Sequence, residues 1–190
     1  LLEDGLQGWS FYTEEGQTEI EEGWTLEEGV LKTPGLPLGY LITNKEFQDY
    51  TLQFDWQWGD EEGGNSGLLI SAIPAQEGFN VWPLCLEVQL KSGSAGDFYF
   101  MGRNVGGTVT GEVTKHVGIP LVHAARQTGT EKPVGEWNTM RVESREGSLK
   151  VYVNDELVNE ISDLKPTRGK IAFQAEEAPI HFRNISVTNH

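Results

Sequence analysis

The chain has 190 residues, of which 29 are acidic and 14 basic, for a formal net charge of −15. A surface of that sign repels nucleic-acid backbones and anionic bilayers, so neither is an expected partner, and no apolar run approaches the length of a membrane-spanning helix. With 23 glycines, 8 prolines and almost no helical apolar period, the composition predicts an all-β protein rich in turns. The single cysteine, Cys85, leaves no partner for an intrachain disulfide.

In chain order, "WTLEEGVLK" (24–32) predicts a hairpin turning at Glu28-Gly29, and "GYLITN" (39–44) a short strand. "YTLQFDWQW" (50–58) alternates, with Tyr50, Leu52, Phe54, Trp56 and Trp58 on one side and polar residues on the other. "DEEGGNSG" turns the chain into "LLISAI", and "PLCLEVQLKSGSAGD" (83–97) follows. There Leu84, Leu86, Val88 and Leu90 alternate with Cys85, Glu87, Gln89 and Lys91, which predicts a strand with one buried face and one wet face. Late in the chain "WNTMRVES", "SLKVYVN" and "ELVNEI", joined at Glu146-Gly147 and Asn154-Asp155, predict a meander; "GKIAFQA" and "PIHFRNISVTN" close the chain. Roughly ten to twelve strands at this spacing imply a single-domain sandwich or jelly roll of two antiparallel sheets over residues 1–190. Between Ser92 and Glu136 alternation largely fails, and a long irregular, glycine-rich segment inside a compact domain points to function. Trp24, Trp56 and Trp137 are expected in the core.

The row Glu87, Gln89, Lys91 places a carboxylate, an amide and an ammonium on one side of one strand, with successive Cβ atoms roughly 6.5–7 Å apart. It is either an ordinary solvated face or a surface that grips one sugar-sized ligand. Trp82 just before the row suits stacking on a sugar ring, and Asn65 in "GGNSG" adds an uncharged donor and acceptor. Ser66 lies in no nucleophile elbow, and Cys85 is expected as a small buried residue. His116 and His123 lack the spacing of a zinc motif, but with Glu87 they form a candidate divalent-ion set; no cofactor is required by the sequence. The acidic clusters Glu14–Glu15, Glu19–Glu22, Asp60–Glu62 and Glu176–Glu177 read as solvated surface, because none has the oxygen spacing of a calcium loop.

Taken in order, "WTLEEGVLKT", "GYLITN", "GNSGLLI", "VWPLCLEVQLKSGSAGDFY", "KPVGEWNTMRV", "VYVNDELV" and "GKIAFQAEEAPIHFRNISV" resemble the 3-keto-disaccharide hydrolase-type domain over nearly the whole chain. The resemblance implies a concanavalin A-like jelly roll and a sugar-processing enzyme, exported to the periplasm or cell surface, often as a lipoprotein. A leader is accordingly expected ahead of Leu1, where the sequence starts without a methionine. Glu87, Gln89 and Lys91 match the family's signature strand, Asn65 its Asn-Ser-Gly block, Gly93, Gly96 and Asp97 the following loop, and Gln174 and Arg183 the C-terminal blocks. Ser71 departs from the arginine that many members carry at that place.

Laminarinase-type glucanases share the jelly roll and use two carboxylates on one strand, whereas this strand offers an amide at 89 and a cation at 91. Ordinary retaining hydrolysis from this strand is therefore not expected. A 3-keto sugar needs only a base for its acidic C2 hydrogen and a stabiliser for the enolate, which expels the aglycone before water adds. Glu87 is the expected base. Lys91, or a metal ion, is the expected enolate stabiliser. Gln89, Asn65, Trp82, Asp97, His123, Arg126 and Gln174 are the remaining expected substrate contacts. The alternative is a non-catalytic carbohydrate-binding module, since fold alone does not fix activity.

Overall fold

Alternating runs with β-branched and aromatic residues must pair, and here they pair into two antiparallel sheets. The structure is a computed structural model and describes residues 1–119 and 121–190. The strands are β1 (Trp9–Thr13), β2 (Gly16–Thr18), β3 (Thr25–Glu27), β4 (Val30–Thr33), β5 (Gly39–Thr43), β6 (Tyr50–Trp58), β7 (Gly67–Phe79), β8 (Trp82–Gln89) and β9 (Phe98–Met101). They continue with β10 (Gly106–Val109), β11 (Val113–Lys115), β12 (Leu121–Ala124), β13 (Asn138–Arg145), β14 (Ser148–Val153), β15 (Glu156–Lys165), β16 (Lys170–Ala175) and β17 (Ile180–Asn189). The first sheet runs β11-β12-β9-β8-β7-β16-β5-β1-β2 and the second β10-β15-β14-β13-β6-β17-β4-β3. This is the expected all-β jelly roll, with more strands than expected. The surplus comes partly from β9 to β12, which lie in the stretch where alternation fails, because short strands show too few repeats of the period to be read.

The hairpin turns behave as their residues dictate. Glu28-Gly29, Glu146-Gly147 and Asn154-Asp155 all have both central residues at positive φ, the backbone that matches the twist of the flanking strands. They close β3–β4, β13–β14 and β14–β15.

The inner faces of both sheets form one core. The first sheet contributes Leu68, Ile70, Leu86, Val88 and Phe173, and the second Phe54, Trp56, Val142, Val151 and Phe182. Phe173 is central: its ring lies 5.1 Å from that of Phe54 and 4.6 Å from that of Phe182. Trp24 and Trp56 are in this core as expected, but Trp137 is not. In β13 the buried parity is Asn138, Met140 and Val142, so Trp137 falls on the outward parity, half-buried, with the Arg183 guanidinium 4.0 Å over its ring. Arg183 also donates to Asp55 at 3.1 Å, so it belongs to the second sheet and not to the face that carries Glu87.

The outer face of the first sheet is also apolar along part of its length. Tyr40, Ile42, Leu69, Ala72, Trp82, Cys85, Met101, Leu121 and Ala172 form a second buried cluster there. This cluster makes the wet face of β8 far drier than alternation predicts.

Truncating the central ring tests the shared core. Phe173→Ala should cost about 3–5 kcal/mol, as buried aromatic deletions do. Urea unfolding should show the midpoint falling with an unchanged slope.

Candidate functional site

Register assembles three rows across the outer face of the first sheet. In the first, Glu87 of β8 stands between Tyr99 of β9 and Leu69 of β7, and Tyr99 stands opposite His123 of β12. In the second, Gln89 pairs with Gly67, and Gln174 of β16 pairs with Tyr40 of β5. In the third, Asn65 bridges to Glu176, one step beyond β16. Lys91 lies one step beyond Gln89 on the same side of its strand.

The middle of this face depends on a missing side chain. A Cβ on Gly67 would sit 2.5 Å from Glu87 Oε1 and 2.6 Å from Gln174 Oε1. Glu87 and Gln174 therefore converge over the glycine, into space that any other residue would fill. Both are buried, Glu87 at 3% exposure and Gln174 at 0%. Neither polar atom of Gln174 has a hydrogen-bond partner, and Asn65 Oδ1 is likewise buried without one. Unpartnered polar groups at this depth are costly unless something else completes them.

Burial pushes the Glu87 carboxyl well above the usual carboxylate range; the charge of Glu176 pushes it the same way, and the adjoining Gln174 amide opposes them. Burial also raises Glu176, with the Asn65 amide opposing, Glu177 adding to the rise and Lys91 opposing again. Tyr99 is raised by burial, then by Glu87 and Asp97. Its ring stacks on that of His123 at 4.5 Å, and His123 Nε2 lies 2.8 Å from Asp97 Oδ2. These two rings form a partly exposed platform beside Glu87.

Several expectations change. Glu87 and Gln89 do not sit on a wet face, because the apolar cluster at one end and the tall neighbours Tyr99 and Gln174 exclude water; Lys91 alone of the row is exposed. Gln89 turns its Oε1 back to accept from the backbone N–H groups of Leu90 and Lys91, at 2.9 and 2.8 Å. Its Nε2 is the end left to donate. Trp82, at 6% exposure, packs near Tyr40 in the apolar cluster and offers no open stacking surface. Arg126 pairs with Glu131 at 3.0 Å and donates to the carbonyls of Ala95 and Gly93, while Glu131 accepts from the N–H groups of the same two residues. The pair clamps the loop after β8; Arg126 contributes to the site through its backbone N–H, which donates to Asp97 at 2.9 Å. His116 is exposed beyond β11. It does not join Glu87 and His123 as a ligand set: among the described residues no three His, Cys, Asp or Glu side chains are placed to share an ion. Cys85 is buried as expected, and Ser66 donates its hydroxyl to the Gln174 carbonyl at 2.8 Å. Ser71, at positive φ, sits where the β7–β8 register shifts.

Sequence reasoning missed Gly67, Tyr99 and Glu176. The signal for Glu176 was present: it continues the parity of Gln174 past "GKIAFQA", yet its acidic neighbour made it read as solvated surface. A surface cleft of about 420 Å³ at the N-terminal segment, lined by Asp4, Trp9, Lys45 and Phe47, shares no residue with this face.

The sequence profile of the 3-keto-alpha-glucoside-1,2-lyase-like domain matches residues 1–188. The chain belongs to this family. No curated protein matches it. Among solved structures, this 3-keto-alpha-glucoside-1,2-lyase-like chain is similar to two candidate glycosyl hydrolases from Parabacteroides distasonis. One is 24% identical over 96% of this chain and 88% of the other, with a TM-score of 0.68. The second is 21% identical over 91% and 92%, with a TM-score of 0.65. The carbohydrate-binding module CBM66 of Bacillus subtilis is 15% identical over 96% of both chains, with a TM-score of 0.64. At these identities the likeness is one of fold, the jelly roll already seen in the sheets. Family membership supports a carbohydrate-related role for the lyase-like domain.

Two outcomes follow from the geometry. Gly67→Ala should displace the Glu87 and Gln174 side chains and lower the melting temperature, while the melting curve still shows a folded protein. Glu87→Gln should stabilise. A carboxyl raised by folding contributes stability that is fully present below its unfolded value near 4.5 and is lost as pH rises through the folded value. The excess melting temperature of the variant over wild type should therefore grow with pH above 4.5 and level off once the folded carboxyl has ionised. A difference independent of pH would show that Glu87 titrates normally.

Proposed function

We propose that this chain cleaves glycosides of 3-keto sugars by elimination and hydration, with Glu87 as the base that takes the C2 proton. The observation that carries this reading is a carboxyl buried on a sheet face with no cation within ion-pair distance among the described residues. A purely structural role would be served as well by an amide, at lower cost. A carboxylate whose pKa is raised is also the stronger base once ionised, which is what a carbon acid requires.

The sugar ring lies on the Tyr99–His123 platform, with C2 over Glu87. The enolate oxygen at C3 points along the strand toward Gln89 Nε2 and the Lys91 ammonium, which stabilise the developing charge. Asn65 and Gln174, whose buried polar atoms lack partners, accept and donate to hydroxyls. The pair of electrons from the C2–H bond forms the C1–C2 double bond as the aglycone leaves, and water then adds to the enone.

A second reading is ordinary glycoside hydrolysis. It gains from the structure, because Glu176 supplies from beyond β16 the second carboxyl that β8 lacks. The likeness of fold to a carbohydrate-binding module supports a third reading, sugar binding without turnover.

One set of rates separates them. Wild type should cleave a 3-keto disaccharide with a primary isotope effect when C2 carries deuterium, and should leave the unoxidised disaccharide intact. Glu87→Gln should lower the rate by about 10²–10⁴-fold, the usual worth of a positioned base. Cleavage of the unoxidised sugar without an isotope effect would support ordinary hydrolysis, and binding of the keto sugar without product would support a binding module.

A further inference from the structure

Elimination leaves one proton unassigned. The C1–O bond breaks with its electron pair on the aglycone oxygen, and an alkoxide is a poor leaving group unless a proton arrives as it forms. Resting on the proposed elimination, we infer that Glu176 is a catalytic acid that delivers this proton to the leaving oxygen.

Position comes first. Glu176 shares the outward parity of Gln174, one repeat of roughly 6.5–7 Å further along the same chain direction. Gln174 meets Glu87 over Gly67, and Asn65 bridges to Glu176. Two carboxyls thus face one patch of sheet from different strands. A base at the C2 hydrogen and an acid at the C1 oxygen must share one patch, because those atoms lie on adjacent carbons of one ring.

The patch also shows independent signs of a ligand site. Gln174 is fully buried with both polar atoms unpartnered, and Asn65 Oδ1 is buried without a partner on the residue that bridges to Glu176. The neighbouring acid Glu177 is exposed and sits at positive φ, and its charge raises Glu176 further. Glu176 itself is half-buried, and burial favours its protonated form. Lys91 limits that rise, so the pair reacts from the arrangement in which Glu176 holds the shared proton and Glu87, although its carboxyl is raised further, is ionised.

The proton balance closes. Glu87 gains the C2 proton and Glu176 loses one to the aglycone. When water adds to C1 of the enone, Glu176 takes a proton from the water and Glu87 returns its own to C2, which restores both groups.

Leaving-group dependence tests this directly. Initial rates of wild type, Glu176→Gln and Glu87→Gln are measured on a 3-keto disaccharide and on the 4-nitrophenyl 3-keto glycoside, whose phenolate departs without a proton. Glu176→Gln should lower the ratio of disaccharide to nitrophenyl rate by about 10²-fold, the order of a lost general acid, whereas Glu87→Gln should slow both sugars alike. Equal losses on the two sugars for Glu176→Gln, or no loss on either, overturn the acid role while leaving Glu87 as base intact. Full activity of Glu87→Gln on both sugars overturns Glu87 as the base of the underlying elimination instead. If Glu176→Gln fails to fold by its melting curve, Glu176→Asp keeps a shorter acid in place. It should lower the same ratio to a lesser degree, and an unchanged ratio in a folded Glu176→Asp overturns the role.

Discussion

Two side chains occupy the space that a Cβ on Gly67 would take, and the candidate site is organised by that encounter. Glu87 comes from β8 and Gln174 from β16, with β7 running between them. Only a strand without a side chain at that point lets the carboxyl and the amide meet on the sheet surface. Their meeting removes water from both, and the loss of water changes the acidity of the carboxyl. The apolar patch of Leu69, Ala172, Ile42 and Cys85 lines one side, and the partly exposed Tyr99 and Asn65 and the exposed Lys91 border the rest.

The two faces of the first sheet divide the work. Leu68, Leu86, Val88 and Phe173 anchor the sheet to its partner across the core, and the same strands present Glu87, Gln89 and Gln174 on the reverse. A one-residue slip of β7 against β8 would exchange these sets. The packed aromatic group around Phe173 therefore holds the outer groups in position without touching them. Away from Glu87, the Arg126–Glu131 pair ties down the loop after β8 and so fixes Asp97, which orients His123. Carboxylate, imidazole and phenol thus follow one another from loop to platform, each held by the one before.

What could be read from the chain divides along the same line. Local periods make β6, β8 and the β13–β15 meander legible, because alternation and turn dipeptides are properties of neighbours in sequence. The row Glu87, Gln89, Lys91 is legible for the same reason. Its dryness is not, since that depends on Tyr99 and Gln174 arriving from other strands and on an apolar patch built from six strands. Glu176 is illegible as a partner of Glu87 because their proximity rests on the pairing of β16 with β7, whose residues are about a hundred apart in the chain. Trp137 and Arg126 were misread in opposite ways. A large aromatic suggested burial where strand parity directs it outward, and an isolated arginine in an irregular stretch suggested a ligand contact where Glu131, five residues on, claims its charge.

Cys85 stands two residues before Glu87 on the same face, fully buried. Burial raises its thiol well above the ordinary range, and the Glu87 charge raises it further. Thiolate is the form that attacks disulfides and alkylating reagents, so this sulfur is held inert by the same exclusion of water that tunes the carboxyl. The outer face therefore carries its own clock. The rate at which the lone thiol reacts measures how often the apolar cluster around Cys85 opens to solvent, on a timescale that no static geometry records.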